Sequence, residues 1–109
     1  MDKDTENQIK ELQSLEQTLQ SLMMQKQAFQ LELSETENAL AELEKSSGNS
    51  YKITGNIMIP SSKEQLIKDS KHKKELLELR LKSIEKQEKQ LAENSDKLRE
   101  KVFSKMNQQ

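Results

Sequence analysis

Few side chains in this sequence have the types and spacing that catalysis or metal binding requires. His72 is the only histidine and the chain has no cysteine, which excludes disulfides, zinc–thiolate sites and cysteine nucleophiles. His72 lies in a run of lysines, where we expect a solvated surface side chain. Glutamates four residues from a lysine, such as Glu85 and Lys89, predict helix ion pairs rather than acid–base dyads. We therefore expect no enzyme activity, no metal site and no cofactor.

The composition favours long helices over a compact core. Only 31% of the 109 residues are hydrophobic, 34% are charged, and the chain has two glycines and one proline. Globular domains usually contain about 45–50% apolar residues, whereas good helix formers dominate here. The sequence has no apolar run near the ~20 residues of a membrane helix and no signal-peptide core behind its acidic start. We expect one cytoplasmic domain, residues 1–109, without a membrane partner.

The charges are distributed unevenly. Residues 1–45 carry 4 basic and 10 acidic side chains, and residues 61–109 carry 13 basic and 9 acidic ones. The two halves should attract each other if they lie side by side. The cations of the second half alternate with glutamates, and the half lacks the interleaved aromatic residues that stack on bases, so we do not expect nucleic-acid binding.

Two long stretches repeat apolar residues at alternating spacings of three and four, which is typical of a coiled-coil seam. Eight of ten such positions are apolar in residues 4–45, and seven of eleven in residues 62–106. Lys26 and Thr36 interrupt the first seam and are expected to reach solvent or to set the register. The seam positions are Leu12, Leu15, Leu19, Leu22, Lys26, Phe29, Leu33, Thr36, Leu40 and Leu43, then Ile67, Ser70, Lys74, Leu77, Leu81, Ile84, Glu88, Leu91, Ser95, Leu98 and Val102.

A change of period separates the two stretches. Alternating β-branched and aromatic residues around Gly55-Asn56 predict a β-hairpin over residues 50–60. Gly48 is expected to end the first helix in a left-handed conformation, Pro60 to end the second strand, and Ser61 or Ser62 to cap the second helix. The predicted fold is mainly α: a long antiparallel two-helix coiled coil with a single central β-hairpin, with helices at about 4–45 and 62–106.

An isolated two-stranded hairpin is marginally stable in water and leaves two unpaired edges. The alternation predicts one bare apolar face, made of Tyr51, Ile53, Ile57 and Ile59. We expect this face to assemble several subunits into a larger sheet or barrel; a simple cap over the end of the coil is the alternative.

The fold-back brings both chain termini to the other end of the predicted rod. An apolar group there either binds apolar segments of other proteins loosely or clamps the fraying end of the coil. Its members are Ile9, Leu12, Leu15, Leu98, Val102, Phe103 and Met106.

Several stretches resemble the prefoldin family, in its β-type subunits. The hairpin 51–59 is similar to the family's Tyr-Lys pair followed by a glycine and an apolar strand, and Gln17 to Gln30 is similar to its glutamine-rich stretch. The runs 62–65, 79–82 and 86–91 also resemble it, so the likeness covers about residues 8–105. The archaeal β subunit is the nearer likeness, beside eukaryotic prefoldin subunit six.

The resemblance implies a hexamer of two α and four β subunits, whose hairpins build a β-barrel body and whose coiled coils hold unfolded proteins at their tips. It also implies that ATP is not needed and that clients pass to a group II chaperonin. The alternative from the residues is a coiled-coil adaptor or tether that binds a partner helix along flanks such as Met23 and Leu79, without holding unfolded proteins.

Overall fold

The computed structural model describes residues 2–107. It contains helix α1 (Lys3–Lys45), strand β1 (Ser50–Thr54), strand β2 (Ile57–Ser61) and helix α2 (Lys63–Asn107). The predicted fold class is confirmed. The described residues form two compact units: a terminal unit within residues 2–27 and 82–107, and a hairpin unit from residues 28–81.

Helix α1 begins one residue earlier than the sequence predicted because Asp2 caps it. The Thr5 backbone N–H donates to the Asp2 Oδ1 atom over 2.6 Å, which satisfies one of the free amides of the first turn. Hydrogen bonding from Thr5 also lowers the pKa of the Asp2 carboxyl below its ordinary value. The cap therefore keeps its charge, and this negative charge suits the positive end of the helix dipole.

The end of α1 differs from the prediction for Gly48. Gly55 is the only residue with a positive φ between residues 2 and 107, so Gly48 is not a left-handed cap. The Gly48 N–H instead donates to the Ser46 Oγ atom over 3.4 Å, and the Lys63 ammonium donates to the Ser46 carbonyl. A cation that donates to the last carbonyls of a helix satisfies acceptors that would otherwise lack a partner. A left-handed glycine serves the same purpose through backbone hydrogen bonds.

Of the two candidate caps for α2, the structure selects Ser62. Its Oγ atom accepts a hydrogen bond from the Gln65 N–H over 3.1 Å. The Gln65 side chain bonds forward to Asp69 rather than back to the cap, so only half of a capping box is formed. Ser61 is left to complete strand β2.

The seam lies where the heptads predicted it. Every one of its positions is buried or half-buried. Leu77 is the most enclosed apolar side chain, at 2% exposure, and the other buried apolar members are Leu22, Leu81, Ile84 and Val102. The polar seam residue Thr36 is also buried, since its hydroxyl donates to the Glu32 carbonyl over 2.8 Å and so leaves no unpaired donor.

Cross-helix contacts show antiparallel helices in each unit. In the terminal unit, Glu16 pairs with Arg99 and Lys26 with Glu88. A residue further along α1 therefore pairs with a residue nearer the start of α2. In the hairpin unit the Lys73–Glu32 pair does the same. Phe29 is covered by the Arg80 guanidinium, 5.6 Å from the ring centroid, a cation–π contact that shields part of the seam.

The two charged seam residues of the terminal unit are partners. The Lys26 Nζ atom lies 3.3 Å from the Glu88 Oε1 atom, and both side chains are less than one-third exposed. Each charge therefore fills a gap in the apolar seam opposite the other. A half-buried pair of this kind adds little net stability but penalises any shift of the helices that would separate the charges.

We expect the single variants Lys26→Leu and Glu88→Leu to lower the free energy of unfolding by about 1–2 kcal/mol each, because the remaining charge loses its partner. The double variant should be at least as stable as the wild type, since leucine packs into the seam. Urea unfolding followed by circular dichroism, at one protein concentration, measures both effects.

The exposed Glu16–Arg99 pair is the matched control, because both of its side chains are at least half exposed. Replacing both residues with glutamine should change the free energy of unfolding by no more than about 0.5 kcal/mol. A Lys26→Leu/Glu88→Leu double variant less stable than either single variant would contradict a purely pairwise role for the two charges.

Candidate functional site

The hairpin is built on a two-residue turn. Gly55 has φ of 62° and Asn56 has a negative φ, the combination of a type II′ turn with glycine at its first central position. This turn matches the right-handed twist of the flanking strands. It also fixes the register, in which Thr54 lies opposite Ile57 and Ile53 lies opposite Met58.

The register corrects the predicted apolar face. Residues directly opposite each other in an antiparallel pair have side chains on the same face. Tyr51 and Ile53 therefore share one face with their partners Pro60 and Met58, which we call face one. Ile57 and Ile59 lie on the other face, face two, with Thr54 and Lys52. The four predicted residues do not form one face.

The prediction was wrong because alternation was counted through the turn. A two-residue turn places an odd-numbered residue of β1 opposite an even-numbered residue of β2, so the parity changes between the strands. Met58 was missed for this reason. Counting the pairs outwards from Gly55-Asn56 would have found it.

Both faces of the hairpin are exposed. Its large apolar side chains have between 45% and 69% of their surface in solvent: Tyr51, Ile53, Ile57, Met58 and Ile59. Face one is apolar apart from the Tyr51 hydroxyl, and face two mixes two isoleucines with Lys52, Thr54 and the terminal serine pair. A folded protein seldom leaves five such side chains together in water, and patches of this kind mark interaction sites.

Strand β2 also continues past the residue that was expected to end it. Pro60 lies opposite Tyr51, and the ladder closes one pair later with Ser50 and Ser61. Proline is tolerated on the edge strand of a sheet, where its missing N–H can point away from the neighbouring strand.

The terminal group divides by exposure. Ile9, Leu12, Leu15 and Leu98 are half-buried, and Val102 is 7% exposed. Phe103, the next residue along α2, is 65% exposed, and Met106 is 48% exposed. The structure thus brings most of the predicted group into the seam and presents only Phe103 and Met106 outwards.

Phe103 lies in a shallow groove on the outer surface of α2. Arg99 borders the groove and forms a 2.8 Å ion pair with Glu16 and a longer one with Asp96. Its lining residues are Asp96, Arg99, Glu100, Phe103, Ser104 and Asn107. An aromatic ring with a charged rim can bind apolar side chains and keep the surrounding surface hydrated.

A second groove in the terminal unit was missed by the sequence analysis. Met23, 52% exposed, lies beside Leu19, with Ala92 and Ser95 across from them. The groove is open because small residues occupy α2 where bulky ones would fill the space. The small side chains of Ala92 and Ser95 were the feature of the sequence from which this groove could have been predicted. Other exposed apolar side chains on the helices are Met24, Leu31, Leu76 and Leu79.

The chemistry-bearing residues are dispersed. His72 is exposed on α2, and no group of three or more histidine or acidic side chains able to hold a metal occurs within residues 2–107. The predicted Glu85–Lys89 ion pair is not among the ion pairs within residues 2–107, in which Lys26 and Lys73 pair across the helices. Neither described helix has a stretch apolar enough to cross a membrane.

Comparisons of the sequence and of the structure with known proteins all point to the same family. The family model for prefoldin subunits matches residues 6–109. The chain is similar to the prefoldin β subunit of Pyrobaculum neutrophilum, with 44% identity over 52 residues, covering 48% of this chain and 41% of that protein. It is also similar to the β subunit of Archaeoglobus fulgidus, with 38% identity over 52 residues, covering 48% of this chain and 45% of that protein. The matched stretch therefore spans less than half the length of these curated relatives.

Solved structures match over more of the chain. The prefoldin β subunit of Thermococcus strain KS-1 superposes with a TM-score of 0.85 at 34% identity, covering 94% of this chain and 92% of that one. The β2 subunit of the same strain has a TM-score of 0.72 at 20% identity, covering 80% and 95%; at that identity the likeness concerns the fold alone.

Replacement by alanine should change the free energy of unfolding differently at the neighbouring residues Val102 and Phe103. We expect Val102→Ala to lower the free energy of unfolding by about 1–3 kcal/mol, because it removes buried apolar surface from the seam. Phe103→Ala should change it by no more than about 0.5 kcal/mol, since the ring is largely in solvent. Urea unfolding of the two variants measures this difference, and equal losses would mean that Phe103 packs in the seam.

Proposed function

Since the chain belongs to the prefoldin subunit family, we propose that it is a β-type subunit of a molecular chaperone that holds unfolded proteins without ATP. In this proposal the chain forms one prefoldin-like domain, works in the cytoplasm and needs no cofactor. It assembles through its hairpin with an α-type subunit and further copies of itself into a hexamer of two α and four β subunits.

The observation that carries the proposal is the exposed hairpin. Five large apolar side chains on its two faces lie in solvent in the single chain. Ile57 and Ile59 lie on face two with Lys52 and Thr54. A cap that packs against one face of the hairpin would therefore leave the apolar side chains of the other face in solvent. Incorporation into a larger sheet pairs both edges, and closure of that sheet into a barrel also buries one face, which favours assembly over a simple cap.

The proposed client-binding surface lies in the terminal unit. Phe103 and Met106 supply the exposed apolar contact, and the half-buried side chains Ile9, Leu12, Leu15 and Leu98 join them when the helix ends fray. Val102 takes part only in the frayed state because it is buried in the seam.

Weak contacts of this kind suit a client without a fixed shape. Several subunits acting together raise avidity by ~10²–10⁴ over one contact, so a tight individual pocket is not required. A hexamer of such subunits would release its client to a group II chaperonin by losing these contacts one after another.

A second candidate function is supported by the apolar side chains on the helix flanks. Met23 is 52% exposed and Leu79 is 62% exposed, and either could contact a partner helix, as in a coiled-coil adaptor or tether. This candidate gives the hairpin no role in assembly and the residues Phe103 and Met106 no role in binding. The two candidates therefore predict opposite effects for variants at these positions.

We expect the double variant Ile57→Asp/Ile59→Asp to dissociate the oligomer, because burial of two carboxylates in a sheet costs far more than the assembly gains from them. Sedimentation velocity of the chain with its α-type partner measures the mass. Met23→Asp/Leu79→Asp is the matched control and should keep the full mass. A hairpin variant that still sediments as the hexamer would contradict assembly through the hairpin.

Holding of unfolded protein is tested by light scattering of a chemically unfolded protein diluted into buffer without ATP. Near-stoichiometric wild-type complex should suppress the scattering. We expect Phe103→Ser/Met106→Ser to lose most of the suppression at unchanged mass, since it removes the outward apolar contacts of every subunit.

Met23→Ser/Leu79→Ser serves as the control in this assay and should suppress scattering as the wild type does. The reverse result, with the flank variant inactive and the Phe103→Ser/Met106→Ser variant active, would favour the tether.

A further inference from the structure

The exposed ring of Phe103 lies among carboxylates. Its groove, which we call the Phe103 groove, is lined by two acidic side chains, Asp96 and Glu100, and by one basic side chain, Arg99. Glu100 and Phe103 are three residues apart on α2, so their side chains are neighbours on the helix surface. Asp96 comes four residues before Glu100 and lies one turn further along the same face. The ring therefore stands at the end of a row of two carboxylates.

The single guanidinium of the groove does not balance these charges. Arg99 already pairs with two carboxylates, with Glu16 over 2.8 Å and with Asp96 over 3.4 Å. Glu100 forms no ion pair within residues 2–107. Three carboxylates and one guanidinium thus surround the ring, so the excess charge at the groove is negative.

This negative charge contrasts with the rest of the second half of the chain. Residues 61–109 carry more basic than acidic side chains, yet Lys97 and Lys101 line a different groove, which has a single acidic residue. The leucines of that groove, Leu15 and Leu98, are half-buried. Of the two grooves, only the negative one holds a large apolar side chain that is mostly in solvent.

We propose that the Phe103 groove selects clients by charge: it prefers apolar segments of unfolded proteins that carry lysine or arginine beside their apolar residues, and it disfavours acidic segments. This inference rests on the proposed client binding by Phe103 and Met106 and names the class of segment that this surface takes.

A lysine or arginine of the client suits the groove in two ways. Its apolar stem packs on the ring while its charged end reaches the carboxylates. A cation over the face of an exposed aromatic ring is also attracted by the ring itself. An acidic side chain at the same place gains neither contact and meets like charges.

The preference is modest for one segment and depends on salt. We expect a basic segment to bind about threefold to tenfold more tightly than an acidic one, which is the range that one or two exposed ion pairs supply. At ~0.05 M salt the charges interact over more than 10 Å, whereas at ~0.5 M they are screened within a few ångströms. High salt should therefore remove most of the preference and leave the apolar contact.

Three fluorescently labelled peptides that differ in charge alone test the proposal. They have the same length and the same leucine and phenylalanine positions, with lysine, glutamine or glutamate at the same intervening positions. Fluorescence anisotropy with the complex of the full chain and its α-type partner, without ATP, measures their dissociation constants. The lysine peptide should bind most tightly and the glutamate peptide most weakly. Equal affinities at low salt, or the reverse order, would overturn the proposal.

The double variant Asp96→Asn/Glu100→Gln tests whether the preference comes from this groove. It retains Phe103 but removes both carboxylates, so the ratio of the lysine-peptide to the glutamate-peptide affinity should fall below about twofold. Glu6→Gln/Glu11→Gln is the matched control, because it removes two exposed carboxylates of the same unit that do not line the groove. The control should keep the wild-type ratio. A groove variant that keeps the ratio, or an equal loss in both variants, would overturn the assignment.

The proposed client binding fails separately from this selectivity. If the wild-type complex neither suppresses the scattering of an unfolded protein nor binds any of the peptides, the holding function is wrong and the selectivity falls with it. If the complex suppresses the scattering and binds the three peptides equally, or binds none of them, only the selectivity is wrong.

Discussion

Burial of a narrow apolar seam is the interaction on which the rest of this structure depends. Helices of 43 and 45 residues cannot be stabilised by helix propensity alone, because most helical stability in proteins comes from tertiary packing. Only 31% of the chain is hydrophobic, and the seam uses fifteen of these side chains. Twelve large apolar side chains of the described residues stay exposed, and the seam does not account for them, so their positions carry information about function.

Heptad spacing predicted the seam correctly, because period alone determines which face of a helix must be buried. It did not predict that Lys26 would meet Glu88, since the pairing depends on how the two helices are aligned. It did separate Val102 from Phe103, because only Val102 falls on a seam position, and the structure has the first buried and the second exposed.

The hairpin was predicted from its period and its Gly-Asn turn, yet its two faces were misassigned. The reason is geometric: the number of turn residues sets which β2 residue opposes each β1 residue, and a change of one moves every side chain to the other face. The prediction for Gly48 was wrong for a different reason. The Ser46 carbonyl at the end of α1 accepts a hydrogen bond from Lys63, seventeen residues further along the chain. Local sequence rules do not include such distant partners.

The proposed assembly and the proposed client binding use different parts of the chain's chemistry. A strand edge offers backbone groups at fixed spacing, so it accepts one extended strand in one register. Phe103 and Met106 offer side-chain surface without directional groups, so they accept many apolar segments. A chaperone subunit needs a defined number of partner subunits and an undefined range of clients. Hydrogen bonds along a strand edge are directional, so they fix the number of partner subunits. The hydrophobic effect is not directional, so exposed apolar side chains accept clients of many shapes.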